Sequence, residues 1–151
     1  NKKILSDNIG EFTSEFAQTY KINNLLGIRF SNFIYTVGAA HGNHEIISLN
    51  INLLNGEEFE FKDLFRSYSK EKIIDILKTN LLKCMRKSDF FNFEEITIRD
   101  NQDFYLNDEN IVICFFKYEI APGCCGPIEV TININDLKDY INPNGPLDFF
   151  K

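Results

Sequence analysis

The segment Tyr118-Glu119-Ile120-Ala121-Pro122-Gly123-Cys124-Cys125-Gly126-Pro127-Ile128 joins two apolar strand patterns through two prolines, two glycines and two adjacent cysteines. Proline fixes φ and glycine tolerates positive φ, so this connection is a rigid, shaped turn. Upstream of it, Val112, Cys114, Phe116, Tyr118 and Ile120 share one parity, and Ile111, Ile113 and Phe115 share the other. A run that is apolar on both faces at one end predicts an interior strand over 111–120. Downstream, Ile128, Val130, Ile132 and Ile134 alternate with Glu129, Thr131 and Asn133, which predicts a half-buried neighbouring strand.

The rest of the chain supplies a frame for that pair. Leu5, Ile9, Phe12, Phe16 and Tyr20 recur at helical spacing behind Ser6 or Asp7 as N-cap, predicting an N-terminal helix. Leu25 to Val37 reads as a strand whose apolar parity switches from Leu26, Ile28 and Phe30 to Phe33, Tyr35 and Val37. A bulge near Ser31-Asn32 would reconcile the two halves. Ile47, Leu49, Ile51 and Leu53 alternate with polar residues as a half-buried strand, and Asn55-Gly56 is a two-residue hairpin signal leading to Phe59 and Phe61. Ser69 opens an amphipathic helix with Ile73, Ile74, Leu77, Leu81, Cys84 and Met85 on one stripe. Short strands are expected over Glu94–Arg99 and Asp103–Leu106, and a short helix from Asn135 or Asp136 to Tyr140, closed by Pro143. The fold class is α+β: an antiparallel sheet packed with an amphipathic helix, with further N-terminal and short C-terminal helices.

Composition narrows function. A chain of 151 residues, 44% of them hydrophobic, is one ordinary domain with a real core. Its net charge of −6 disfavours nucleic acid and anionic lipid, which need clustered Lys and Arg. No run reaches the ~20 apolar residues of a membrane helix, so no membrane insertion is expected. Ser6, Asp7 and Asn8 interrupt any secretory leader pattern after Lys2-Lys3, and the start at Asn1 implies a processed or trimmed chain. Cys84, Cys114, Cys124 and Cys125 form no Cys-x-x-Cys pair, and His41 and His44 lie far from them in sequence, so neither a zinc site nor any other cofactor is expected.

Several residues invite a chemical reading. His41, in a Gly/Ala connection, can bind a ligand or act in acid–base chemistry, or its ring can tie the loop to a neighbouring strand. Glu119, the acidic group at the end of the most apolar strand, can serve as a general acid of raised pKa, or can accept hydrogen bonds from backbone donors or a histidine. Close approach of His41 to the Glu119–Pro122 turn is expected, since both sit at ends of long strands. Asp100, Asp103, Asp108 and Glu109 lack calcium-loop spacing and read as a solvated turn. Cys124 and Cys125 can be small packing groups, can pair with Cys84 in an oxidising compartment, or can act in redox or metal chemistry; Cys114 reads as core. No Gly-x-Ser-x-Gly, Gly-x-Gly-x-x-Gly or phosphate-binding loop occurs.

Tyr35-Thr36-Val37-Gly38-Ala39-Ala40-His41-Gly42-Asn43 is similar to the Gly-Gly-Ala-His segment of the RsiV-like domain family, with its second glycine shifted. Leu53-Leu54-Asn55-Gly56-Glu57 with Phe61-Lys62-Asp63-Leu64-Phe65 resembles that family's hairpin. Asp103-Phe104-Tyr105-Leu106 and Tyr118-Glu119-Ile120-Ala121-Pro122 resemble its C-terminal strands. The family comprises the extracytoplasmic domain of lysozyme-responsive anti-sigma factors and occurs in some peptidoglycan deacetylases. The resemblance implies an RsiV-like domain over 43–151, with 1–42 as the end of a companion domain packed against it. It implies a non-enzymatic binding module of the bacterial envelope, extracytoplasmic, taking a protein (a lysozyme-like one being the concrete example) or cell-wall glycan. His41, Asn43, Tyr118, Glu119 and Pro122 would be its binding or loop-organising residues. The alternative is a glycan-acting hydrolase that pairs Glu119 with a second carboxylate.

Overall fold

The computed structural model describes residues 9–150 and shows two antiparallel sheets and one principal helix. The first sheet has the order β1 (Ile9–Ile22), β2 (Leu25–Thr36), β3 (Asn43–Asn52), β4 (Glu57–Glu58). Two helices follow, α1 (Phe61–Leu64) and α2 (Lys70–Cys84). The second sheet is β5 (Phe104–Asn107), β6 (Asn110–Phe115) and β7 (Ile128–Asn133), with β6 in the middle. This is the α+β architecture that the pattern of elements predicts, with the Ile111 strand interior and the Ile128 strand beside it.

The molecule has three layers. Register places Phe104, Leu106, Ile111, Ile113, Phe115, Val130 and Ile132 on one face of the second sheet. That face packs on Ile73, Leu77 and Leu81 of α2 in the main core. The opposite face carries Tyr105, Val112, Cys114 and Glu129 and receives the first sheet through Ile46. Asn50 Nδ2 donates to the Phe104 carbonyl at 2.8 Å. Arg29 grips Glu129 with two hydrogen bonds, of 2.9 and 3.0 Å. The position between 42 and 43 falls in the turn joining β2 to β3, which are paired neighbours.

Several local expectations are corrected. The segment from Ile9 to Ile22 is a strand, although Ile9, Phe12, Phe16 and Tyr20 fit helical spacing; Leu5, Ser6 and Asp7 lie outside the described residues. Pairing with the strongly β-forming β2 overrides a weak periodicity in a segment rich in Thr, Phe and Tyr. Residues Ser31 and Asn32 pair regularly, and the irregularities fall in β1 instead, between Ile9 and Glu11 and between Gln18 and Tyr20. Strand β6 stops at Phe115, so Phe116 and Tyr118 leave the sheet and are 41% and 58% exposed. Ile96 and Ile98 are buried without forming a strand, behind a 3-10 turn at Phe93–Glu95. Ser69 stands at the start of α2 but makes no cap bond; its hydroxyl donates to the Arg66 carbonyl. The Asn55-Gly56 signal closes a longer turn, with Gly56 at φ +73°. The short C-terminal helix is a pair of 3-10 turns, Ile134–Asp136 and Lys138–Tyr140.

The largest reversal concerns β3. Its buried residues are Ile46 and Asn50, so Ile47, Leu49 and Ile51 point away from the second sheet. Register puts Phe12 and Phe16 of β1 and Ile28, Phe30 and Ile34 of β2 on that same outward face. Phe12 is 51% exposed, Phe16 76% and Ile47 41%. One face of the first sheet is therefore a broad apolar surface in contact with solvent.

The layers assign different weight to neighbouring helix positions. Leu77→Ala, at a fully buried site under β6 and β7, is expected to lower stability by roughly 2–5 kcal/mol. Leu82→Ala, on the exposed side of the same helix, should stay within about 0.5 kcal/mol. Chemical denaturation of the two variants checks the facing of α2.

Candidate functional site

The connection after β6 is rigid for reasons that begin with one carboxylate. Glu119 accepts from the Phe116 N–H at 2.7 Å and from Arg99 Nη1 at 2.5 Å, while its own N–H donates to the Phe116 carbonyl. The Arg99 guanidinium also lies 5.4 Å from the Phe116 ring centre, a cation–π contact. Ile120 and Ala121 are buried anchors, and the Ile120 carbonyl accepts from the Phe91 N–H. A 3-10 turn, Gly123–Cys125, then follows between Pro122 and Gly126, the latter at φ +68°.

Tyr118 carries the one notable backbone strain here. Its φ of +69° is unusual for a bulky side chain. The ring lies against Gly123 so closely that a Cβ there would fall 2.1 Å from Tyr118 Cζ. Lys117 Nζ sits 5.3 Å from the same ring. A side chain at position 123 would therefore have to displace the Tyr118 ring.

His41 does not join this turn. It is exposed, and its Nδ1 lies 3.0 Å from the Gly42 carbonyl, a contact in which the ring nitrogen donates. The expected hydrogen bond to Glu119 is not made: the imidazole bonds its own loop, and the carboxylate takes Arg99 and the Phe116 N–H instead. Asn43 reaches only Glu45, at 3.2 Å. Gly42 is held close by Phe33, whose ring packs at a tilt against His44 with centroids 5.0 Å apart. The structure therefore splits the sequence candidates in two: Tyr118, Glu119 and Pro122 share one turn, while His41 and Asn43 belong to the β2–β3 end.

All four cysteines are free thiols. Cys114 is buried, as its parity indicates, and burial pushes its pKa well above the ordinary thiol range. Cys84, Cys124 and Cys125 are exposed, which corrects both the buried stripe position of Cys84 and the packing role of the adjacent pair. Desolvation, then the hydrogen bond that the Cys125 thiol donates to the neighbouring Cys124, raises the Cys125 pKa and disfavours the thiolate that redox chemistry needs. Among the described residues, no group of three or more His, Cys, Asp or Glu is placed to hold a metal ion.

The hydrolase alternative needs a second carboxylate facing Glu119 across a cleft. Asp103 is close enough for mutual electrostatic influence, and burial raises its pKa. The roughly 260 Å³ cavity that Asp103 lines does not include Glu119. Each oxygen of Glu119 accepts one hydrogen bond, from a cation and from a backbone donor, the arrangement of a structural acceptor.

Sequence reasoning missed Arg99, the partner of Glu119. It also missed the joint of Arg29, Glu129 and Tyr105, whose hydroxyl donates to Glu129 at 2.8 Å. A signal for the joint existed: Arg29 is the single charge in the apolar run Leu25-Leu26-Gly27-Ile28-Arg29-Phe30. A lone cation there calls for a carboxylate on an opposing strand.

With this geometry in hand, the likeness to other proteins is specific. Residues 62–135 match the family described as "Protein of unknown function (DUF3298)". The fold is shared with a crystal structure of a DUF3298 family member from Bacteroides fragilis, at TM-score 0.74 and 25% identity, covering 90% of this chain and 55% of that one. It is shared also with a DUF3298 family protein from Pseudomonas aeruginosa, at TM-score 0.67 and 17% identity, covering 88% of this chain and 62% of that one. The chain thus spans a little over half the length of these solved relatives. No curated protein matches it significantly.

Two substitutions test the two halves of the site. Glu119→Ala strands the Phe116 N–H and Arg99 and should lower stability by roughly 1–3 kcal/mol. His41→Ala, at an exposed side chain bound only to its neighbour, should change it by less than about 0.5 kcal/mol. Thiol titration of the native protein should modify Cys84, Cys124 and Cys125 and spare Cys114 until denaturant is added.

Proposed function

We propose that this chain is a non-enzymatic binding module of the bacterial cell envelope, acting outside the cytoplasm, whose partner is a protein that covers the apolar face of β1–β3. The observation that carries this reading is that face, with Phe12, Phe16 and Ile47 exposed on a sheet whose other side is already used. Apolar patches of this breadth mark interaction surfaces. The RsiV-like resemblance supplies a lysozyme-like protein as the concrete partner, and a net charge of −6 favours a basic one. The occupied state of Glu119 weighs against glycan hydrolysis.

The test measures binding of lysozyme and of isolated cell-wall glycan in parallel, with the wild type and with Phe16→Asp and Ile47→Asp. Protein binding weakened at least about tenfold by either charge, with melting temperature unchanged, is the expected outcome. Binding indifferent to both variants removes the face from the reading. Glycan cleavage lost in a folded Glu119→Gln variant overturns the non-enzymatic assignment. The longer solved relatives are the control: if their own polypeptide fills the equivalent face and excludes the partner, the face is an intramolecular seam.

A further inference from the structure

A cavity of about 270 Å³ opens between α1, the first turn of α2 and the Ile98–Asp100 segment, apart from the apolar sheet face and reaching the Glu119 turn only through Arg99. Its floor is apolar: Phe61, Phe65, Ile73 and Ile98 are all nearly fully buried. Its rim carries Lys62, Arg66, Lys70 and Arg99 with the carboxylate of Asp100, while Glu119, outside the lining, holds one amino group of Arg99. Four of the sixteen basic residues of a chain with net charge −6 therefore surround one small hollow. We propose that this cavity binds a small anion with an apolar body, an aromatic or short-acyl carboxylate or phosphate monoester.

Size, charge and availability agree on that class. A cavity of about 150 Å³ suffices for benzene, so this one holds a ring or short chain together with a head group. It is too small for most drug-sized ligands, which need roughly 300–1,000 Å³. Guanidinium groups match carboxylate and phosphate oxygens in paired geometry. Arg66 spends Nε on the Ile141 carbonyl at 3.1 Å and Nη1 on the Tyr68 hydroxyl at 2.8 Å. Among the described residues it has no carboxylate partner, and the guanidinium retains further N–H donors for a ligand. Lys62 pairs with Glu60 and Lys70 with Asp100, but these bridges are about half exposed and so contribute little. A ligand anion seated over the apolar floor competes with them for the same ammonium groups at small cost.

The cavity is independent of the partner-binding face, so the two proposals stand or fall separately. The experiment titrates the protein with phenyl phosphate, benzoate and hexanoate, followed by calorimetry and by amide chemical shifts. Inorganic phosphate and benzyl alcohol serve as the head group and the ring alone. The expected result is that the amphipathic anions bind at least about tenfold more tightly than either fragment, with shifts at Lys62, Ser67 and Arg99 and an affinity that falls with salt. Lys70→Gln should weaken binding several-fold, whereas Lys138→Gln, outside the cavity, should not. Arg66→Gln should weaken it further; because this variant also loses a bond to the Ile141 carbonyl, its melting curve is recorded alongside, and Lys70→Gln decides if it fails to fold. Equal binding by benzyl alcohol would reduce the site to an apolar hollow, and equal binding by inorganic phosphate would reduce it to surface ion pairing. Either result overturns the proposal, as does unchanged affinity in Lys70→Gln or no binding at millimolar concentration.

Discussion

Strand β6 has no solvent face, and the rest of the molecule is arranged around that fact. Ile111, Ile113 and Phe115 point into the core shared with α2, while Val112 and Cys114 point at the first sheet. A six-residue strand buried on both sides must satisfy its backbone entirely within the protein. Neighbours β5 and β7 do most of this. At the strand's end Gln102, itself buried, donates to the Cys114 carbonyl at 2.6 Å, and the Asp103 carbonyl accepts from the Cys114 N–H. The turn at Glu119 follows from the same demand, since the Phe116 N–H is the first donor past the ladder and the Glu119 carboxylate takes it.

The two sides of β6 are covered by different chemistry. Toward α2 the contact is almost wholly aliphatic and aromatic, which contributes area-proportional stabilisation. Toward the first sheet the apolar contact is a small cluster of Ile46, Val112, Cys114 and part of Tyr105, with Tyr20 and Leu25 at one end joining the main core. Directional polar links supplement it there: Arg29 to Glu129, Tyr105 to Glu129 and Asn50 to Phe104. Those links do not saturate the seam. Among the described residues, Thr19 Oγ1 and Asn50 Oδ1 are buried without a partner on either side of Gly27, and burial pushes the Tyr20 phenol up to about 12. Unpaired buried groups cost free energy, so the seam between sheets is the weaker of the two interfaces and the first sheet the less protected unit.

That difference explains what could be read from the sequence. The helix at Leu77 and Leu81, the central strand and its partner at Ile128 were legible because α2 and β6 bury conventional apolar patterns against each other. The N-terminal half misled because its buried face mixes polar residues with a few apolar ones, and its more continuous apolar face is exposed. Asn50 is 3% exposed while Ile47, three residues earlier, is 41% exposed, so alternation located β3 correctly and assigned its faces backwards. The helical spacing of Phe12 and Phe16 failed for a related reason: on the strand, these two residues share the outward face and answer to no described core. At the site, Tyr118 and Glu119 were legible as parts of a shaped turn. Arg99 was not, because a twenty-residue separation leaves no trace in local pattern.

The first sheet also indicates how a partner would approach it. Strand β1 is a fourteen-residue edge, the kind of element that invites pairing with another strand. Its regular ladder is interrupted near both ends by register shifts, and Glu11 and Glu15 project from the face opposite the phenylalanines. Bulges and charges on an edge discourage strand addition. The outward face is apolar at its centre: Phe12, Phe16, Phe30 and Ile47 are spaced by uncharged Ser14 and Asn32, which bond to each other at 2.7 Å, and its acidic residues Glu45 and Glu58 lie toward the β3–β4 side. A sheet that blunts its edge and leaves its face apolar selects for a partner that lies across the strands. Side-chain packing would then set specificity, and backbone pairing would contribute little.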